Sequence, residues 1–73
     1  MKEIKPGKYR HYKGNFYEVI CEARHTENLE EYVVYRALYG AFDYWIRPKE
    51  MFREKVVVEG TEVPRFEYLG SKE

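Results

Sequence analysis

Hydrophobic and polar residues alternate along this chain with a period of two, in runs of five to nine residues broken by glycine and proline. Such a pattern predicts short strands and leaves no stretch with a sustained helical period. It places strands at Lys8–Tyr12, Phe16–Arg24, Tyr32–Leu38, Phe42–Arg47, Glu54–Val58 and Glu62–Tyr68. The turns between them are Lys13-Gly14-Asn15, Tyr39-Gly40-Ala41 and Glu59-Gly60-Thr61, while Pro6-Gly7 punctuates the N-terminus. His25–Glu31 reads as a connection with room for one helical turn capped by Thr26 or Asn28. Pro48–Phe52 reads as a single 3₁₀ or α turn with proline at its first position, so that Met51 and Phe52 plug one end of the barrel that these strands are expected to form. Pro64 marks an edge strand, and Gly70–Glu73 a frayed tail.

The pattern also predicts registers. A three-residue first loop pairs Tyr9 with Val19, Arg10 with Glu18 and His11 with Tyr17, which turns Tyr9, Tyr17, Val19, Cys21 and Ala23 toward the core. Arg10, Glu18, Glu22 and Arg24 then face outward. A two-residue Gly40-Ala41 loop pairs Tyr39 with Phe42, Ala37 with Tyr44 and Tyr35 with Ile46, and makes one side of the hairpin wholly apolar. Its other side pairs Leu38 with Asp43, Arg36 with Trp45 and Val34 with Arg47. Tyr35, Tyr39, Phe42 and Tyr44 are accordingly expected inside, with Trp45 outside between two arginines. Many short strands, tight turns and one helical turn before a late strand predict an all-β single domain over residues 1–73, ordered over about 7–68. The architecture expected is a small SH3-like barrel of five to six antiparallel strands; an OB-like barrel is the alternative.

Composition fits a packed domain of this size. A chain of 73 residues buries a modest share of its surface, and the large side chains needed are present in 18% aromatic content. Thirteen basic and thirteen acidic residues cancel, so no net field draws the chain to nucleic acid or anionic lipid. Cys21 has no intramolecular partner and is expected as a buried, reduced thiol. With no secretory pattern at the N-terminus and no apolar run of membrane-spanning length, a cytoplasmic address is expected.

Candidate chemistry is sparse. His11, His25 and Cys21 are too dispersed to predict a metal site, and a core thiol is a poor nucleophile, so no metal, cofactor or catalytic residue is assigned. The most informative surface is that of Arg36, Trp45 and Arg47. An exposed indole beside two guanidinium groups stacks on a base, holds a carboxylate or covers a peptide, although a simple cation–π pair shielding Trp45 accounts for the same residues. Tyr12 and Phe16 would extend it. A second surface gathers His11, Arg24 and His25 at strand ends, with a histidine that titrates near neutrality. These features favour a non-enzymatic binding module for a peptide, a protein or a small anionic ligand. The alternatives are a nucleic-acid-binding barrel, which zero net charge does not support, and a small nucleotide-handling enzyme. The free edge of the last strand admits a weak homodimer beside the monomer.

Several segments together resemble a family of short, stand-alone bacterial proteins classed as a domain of unknown function, the DUF1653 type. They are Gly7-Lys8-Tyr9-Arg10-His11-Tyr12-Lys13-Gly14-Asn15, Ala23-Arg24-His25, Val33-Val34-Tyr35-Arg36-Ala37-Leu38-Tyr39-Gly40, Trp45-Ile46-Arg47-Pro48 with Met51-Phe52, and Val63-Pro64-Arg65-Phe66. The resemblance spans Gly7 to about Tyr68. It implies a stand-alone bacterial domain and carries no activity to transfer.

Overall fold

The computed structural model describes residues 4–70. Seven strands and one helical turn follow in the order β1 (Gly7–His11), β2 (Phe16–Arg24), β3 (Glu31–Ala37), β4 (Tyr44–Pro48), α1 (Lys49–Phe52), β5 (Lys55–Val58), β6 (Thr61–Pro64) and β7 (Phe66–Gly70). All strand pairings are antiparallel. They form a five-stranded sheet in the order β4-β3-β2-β1-β7 and a separate β5-β6 hairpin. The all-β expectation holds, but the strands divide into two sheets instead of one closed ladder. The predicted last strand is two, broken at Arg65, and Gly70 belongs to β7. Ser71, Lys72 and Glu73 of the expected tail lie outside the described residues, as do Met1 to Glu3. No helix among the described residues is long and apolar enough to cross a membrane.

The large sheet curls. Phe66 of β7 packs edge-on against Tyr35 of β3 with ring centroids 5.7 Å apart, although β1 and β2 lie between them in the sheet. Flat strands at ~4.8 Å spacing would hold these residues about 14 Å apart. The enclosed face carries the core: Tyr9, Val19, Val33, Tyr35, Phe52 and Phe66, with Ile4 and Tyr17 packed against it. Phe52 arrives from α1 and stacks flat on Phe66 at 4.1 Å. Its burial is as expected, although the described residues form no closed barrel for it to plug, and Met51 stays exposed. The Tyr9 hydroxyl donates to the Lys5 carbonyl at 2.7 Å, which satisfies its polar end inside the core.

Turn chemistry moves both predicted registers. In the first hairpin Tyr9 faces Tyr17 and Lys8 faces Glu18, two residues away from the expected pairing. The loop is Tyr12-Lys13-Gly14, closed by the His11 N–H donating to the Asn15 carbonyl at 2.8 Å. A three-residue hairpin loop needs a positive φ at its last position, and Gly14, with φ +108°, supplies it there. A shift of two preserves the faces, so Tyr9 and Val19 remain inside. Ile20 is then a β-bulge opposite β3, since Val19 pairs with Tyr35 but Cys21 with Val34. The extra residue inverts the alternation. Cys21 and Ala23, expected in the core, are exposed, and Glu22 swings onto the inner face opposite Val33.

The second hairpin slips by one residue, with Arg36 facing Tyr44, Tyr35 facing Trp45 and Val33 facing Arg47. The Leu38 N–H donates to the Phe16 carbonyl at 3.0 Å, which keeps Leu38 on the β2 side and out of the β3-β4 ladder. A turn closed by the Phe42 N–H on the Tyr39 carbonyl follows, with Gly40 at φ +61° and Phe42 itself at φ +59°. A slip of one reverses every β4 side chain. Tyr39, Phe42, Tyr44 and Ile46, expected inside, are exposed.

The inverted end of β2 builds one buried charge. Lys49, 5% exposed, places Nζ 3.0 Å from Glu22 Oε1 and 3.6 Å from Glu31 Oε1, while Glu22 Oε2 accepts the Ile4 N–H at 2.8 Å. That N–H, and then Lys49, hold the Glu22 carboxyl below the usual carboxylate range, and Glu22 in turn raises Lys49.

Removal of the central ring by Phe66→Ala is expected to cost about 3–5 kcal/mol, read as a lower urea midpoint. Stability contributed by Glu22 is present above its ordinary pKa of 4.5 and is lost as pH falls through its lower folded value. Lys49 keeps its contribution below 10.5 and loses it as pH rises through its higher folded value. Urea midpoints measured against pH are therefore expected to fall on the acid side, and Glu22→Gln to flatten that limb.

Candidate functional site

The one-residue slip takes the expected Arg36-Trp45-Arg47 surface apart. Directly opposed residues of an antiparallel pair share a face, so Trp45 and Arg47 lie on the inner side with Tyr35 and Val33, while Arg36 lies outside with Tyr44. Arg36 makes the bland cation–π arrangement with other rings: its guanidinium carbon is 5.8 Å from the centroids of both Phe42 and Tyr44. Its Nη2 also reaches Glu18 at 3.5 Å.

The second expected surface is not assembled either. His11 adjoins the turn that opens β2, and Arg24 and His25 lie at the far end of that nine-residue strand. At ~3.3 Å per residue the two ends are about 26 Å apart. Arg24 pairs with Glu31 at 3.5 Å, and His25 Nδ1 accepts the Glu27 N–H at 3.0 Å within its turn. Beside them opens a cleft of about 640 Å³ lined by Arg24, Glu31, Lys49 and Arg53 among others, but Arg24, Glu31 and Lys49 there are already paired. Among the described residues no group of three His, Cys, Asp or Glu converges on a metal position.

What the fold does bring together is Arg47 with His11 and a set of rings. Arg47 leaves β4, donates from Nε to the Tyr35 hydroxyl at 3.3 Å, and lays its guanidinium carbon 5.7 Å from the Phe66 centroid. The His11 ring meets Phe66 edge-on at 4.9 Å and Tyr17 at 6.3 Å, and lies against Tyr12 at 4.7 Å. Tyr17 and Tyr39 share a hydroxyl–hydroxyl hydrogen bond of 2.7 Å. Trp45, 53% exposed, borders the group from the position opposite Tyr35.

The electrostatics of this cluster are one-sided. Burial pushes the His11 pKa down, and Arg65, Arg47 and Lys13 push it further. Nδ1 of His11 accepts the Lys13 N–H at 3.2 Å, so the neutral ring carries its proton on Nε2 and presents a donor. Burial, and then the bond to Tyr39, push the Tyr17 phenol up to about 12, against a smaller opposing pull from Arg47. Tyr17 therefore stays a neutral hydroxyl at physiological pH. Arg65 spends its charge on Glu54, 2.9 Å away. Arg47 has no carboxylate within ion-pair reach among the described residues. Its Nε is fixed and its ring contact orients the plane, so its terminal nitrogens are left to grip a carboxylate or phosphate.

Comparison with known proteins agrees with the architecture. The family model described as "Protein of unknown function (DUF1653)" matches residues 7–68. The chain belongs to the DUF1653 family. A crystal structure of a DUF1653 protein from Bordetella bronchiseptica is similar to it, with 36% sequence identity, a TM-score of 0.88, and coverage of 100% of this chain and 96% of that one. No curated protein matches. In this DUF1653 domain the segments that carry the family resemblance supply His11, Tyr35, Tyr39, Trp45, Arg47, Arg65 and Phe66. Arg47, Trp45 and His11 were expected from the sequence. Tyr17, Tyr35 and Tyr39 were all expected as core residues, because their hydroxyl partners come from elsewhere in the sequence.

At pH 7, His11 is expected to be neutral with its proton on Nε2, observable in long-range ¹H–¹⁵N spectra. Arg47→Gln removes one repelling cation, so a pH titration is expected to show its pKa moving partway back toward 6.5, with burial and Arg65 holding the remainder.

Proposed function

We propose that this domain is a non-enzymatic binding module that takes an anionic group, a carboxylate or a phosphate, at Arg47. The carrying observation is a half-buried arginine with no acid partner among the described residues, fixed by Tyr35 and Phe66 next to a histidine kept neutral. Leaving such a charge without a counterion disfavours the empty site relative to the filled one. His11 Nε2 supplies a second, neutral donor. The indole of Trp45 offers a flat apolar border for whatever carries the anion. The setting fits a bacterial cytoplasm. The curl that sets Phe66 of β7 against Tyr35 of β3 supports reading the architecture as an open variant of an SH3-like barrel.

A nucleic-acid reading is favoured by one observation, the exposed Trp45 on the same face as Arg47, which has the arrangement of a base-stacking platform with a phosphate clamp. It predicts single-strand binding that weakens steeply with salt.

Titration of the ¹⁵N-labelled protein with acetate and with inorganic phosphate is expected to shift the Arg47 Nε–H and the His11 ring together. Arg47→Gln is expected to weaken binding about 10-fold or more, the scale of a charge-assisted hydrogen-bonded contact. Shifts scattered over the surface, or a variant that binds as well as the parent, count against the proposal.

A further inference from the structure

We propose that the anion reaches Arg47 as a side chain of an extended peptide that adds as a new strand along the outer edge of β4; this rests on the reading of Arg47 as an anion site.

β4 is the edge of the five-stranded sheet, bonded among the described residues to β3 alone. The Ala37 N–H donates to the Asp43 carbonyl at 3.0 Å, which makes Ala37 and Asp43 a hydrogen-bonded pair of the ladder. By the alternation of an antiparallel ladder, Trp45 and Arg47 likewise spend their backbone groups on β3, and Tyr44 and Ile46 direct theirs away from the sheet. The Tyr44 and Ile46 side chains are also open to solvent, at 63% and 62% exposure. Tyr44, Trp45 and Ile46 thus make an edge with no lysine, no acid and no proline until Pro48, the kind of edge that accepts another strand.

Charge selects the occupant. A residue placed across from Arg47 on the added strand is in a non-hydrogen-bonded position, where opposed side chains approach most closely, at Cα separations of ~4.5 Å. Glutamate or aspartate there meets the guanidinium that no acid among the described residues fills. The residue across from Trp45 shares that inner face and is best apolar. Those across from Tyr44 and Ile46 lie on the outer face, where β-branched side chains match. A second copy of β4 is a poorer occupant, since Tyr44-Trp45-Ile46-Arg47-Pro48 contains no acid. A nucleic-acid strand has no amide ladder to offer Tyr44 and Ile46.

The probe is an acetylated, amidated pentapeptide of threonine, glutamate, valine, valine and threonine, added to the ¹⁵N-labelled full chain with acetate run in parallel. Amide hydrogen exchange in the free protein is expected to be fast at Tyr44 and Ile46 and slow at Trp45 and Arg47. Saturating peptide is expected to slow Tyr44 and Ile46 at least tenfold and to shift the Arg47 Nε–H. Replacing the glutamate by glutamine, or N-methylating the central valine that faces Ile46, is expected to weaken binding about tenfold each. Strand addition is overturned if acetate shifts Arg47 but the peptide at millimolar concentration does not, if the peptide binds without protecting Ile46, or if the N-methylated peptide binds equally well. Protection of Ile46 that grows with protein concentration alone overturns it in favour of a second copy. If neither acetate nor peptide shifts Arg47, the anion site itself fails as well.

Discussion

Phe66 is the side chain on which the rest of the domain depends. It opens β7, on the far side of the sheet from β3 and β4, yet its ring lies flat on Phe52 from α1 and edge-on to Tyr17, Tyr35 and His11. Only a strongly curled sheet brings those strands within reach of one ring. The same ring supports the Arg47 guanidinium. Core and candidate site therefore share one residue: the Phe66 ring stacks on Phe52 in the core and has the Arg47 guanidinium over it at the site. Arg65, immediately before it, accepts the Tyr12 N–H on its carbonyl at 2.9 Å and donates its own N–H to the Glu54 carbonyl at 2.9 Å, which fixes where β7 begins.

Five of the six expected strands were legible in the sequence to within two residues, because alternation and turn-forming residues are local signals, but the last, Glu62–Tyr68, is two strands that part at Arg65 into different sheets. Register was not, and each failure has a local cause. Gly14 is needed at the end of its loop, where a positive φ falls, and a reading that centred the loop on it missed by two. Ile20 is indistinguishable by type from an ordinary strand residue, yet as a bulge it exposes Cys21 and carries Glu22 inward to Lys49. Leu38 is drawn to β2 by a backbone bond that no side-chain pattern reveals. That last slip had the largest consequence, since it put Arg36 and Trp45 on opposite faces and turned Trp45 and Arg47 together to the inner side, where His11 lies.

Zero net charge concealed a local imbalance. Each of the other arginines on a strand of the large sheet has a carboxylate nearby: Arg10 with Glu67, Arg24 with Glu31 and Arg36 with Glu18. These pairs are surface contacts of small worth, but they neutralise the field around them. Arg47 differs because its surroundings are phenols, an imidazole and Phe66, none of which can balance its charge. Burial comes first in lowering the His11 pKa, and Arg65, Arg47 and Lys13 lower it further, so Arg47 is one contributor among several.

The two edges of the large sheet are unequal, and the inequality coincides with the site. β7 is blunted: its pairing with β1 is interrupted by an irregularity between Lys8 and Tyr9, and Glu67 puts a charge on it. These are devices by which exposed strands resist pairing. β4 has no irregularity in its pairing and no acid, its one charge before Pro48 is the inward-facing Arg47, and it shows Tyr44, Trp45 and Ile46 to solvent in succession. Burying apolar surface of that kind would favour a compact domain by about 25 cal/mol per Å², so leaving it open is a cost to the isolated chain. The edge with that exposed apolar run also carries the arginine that has no acid partner among the described residues. A strand selected only to complete the fold would have little reason to combine the two.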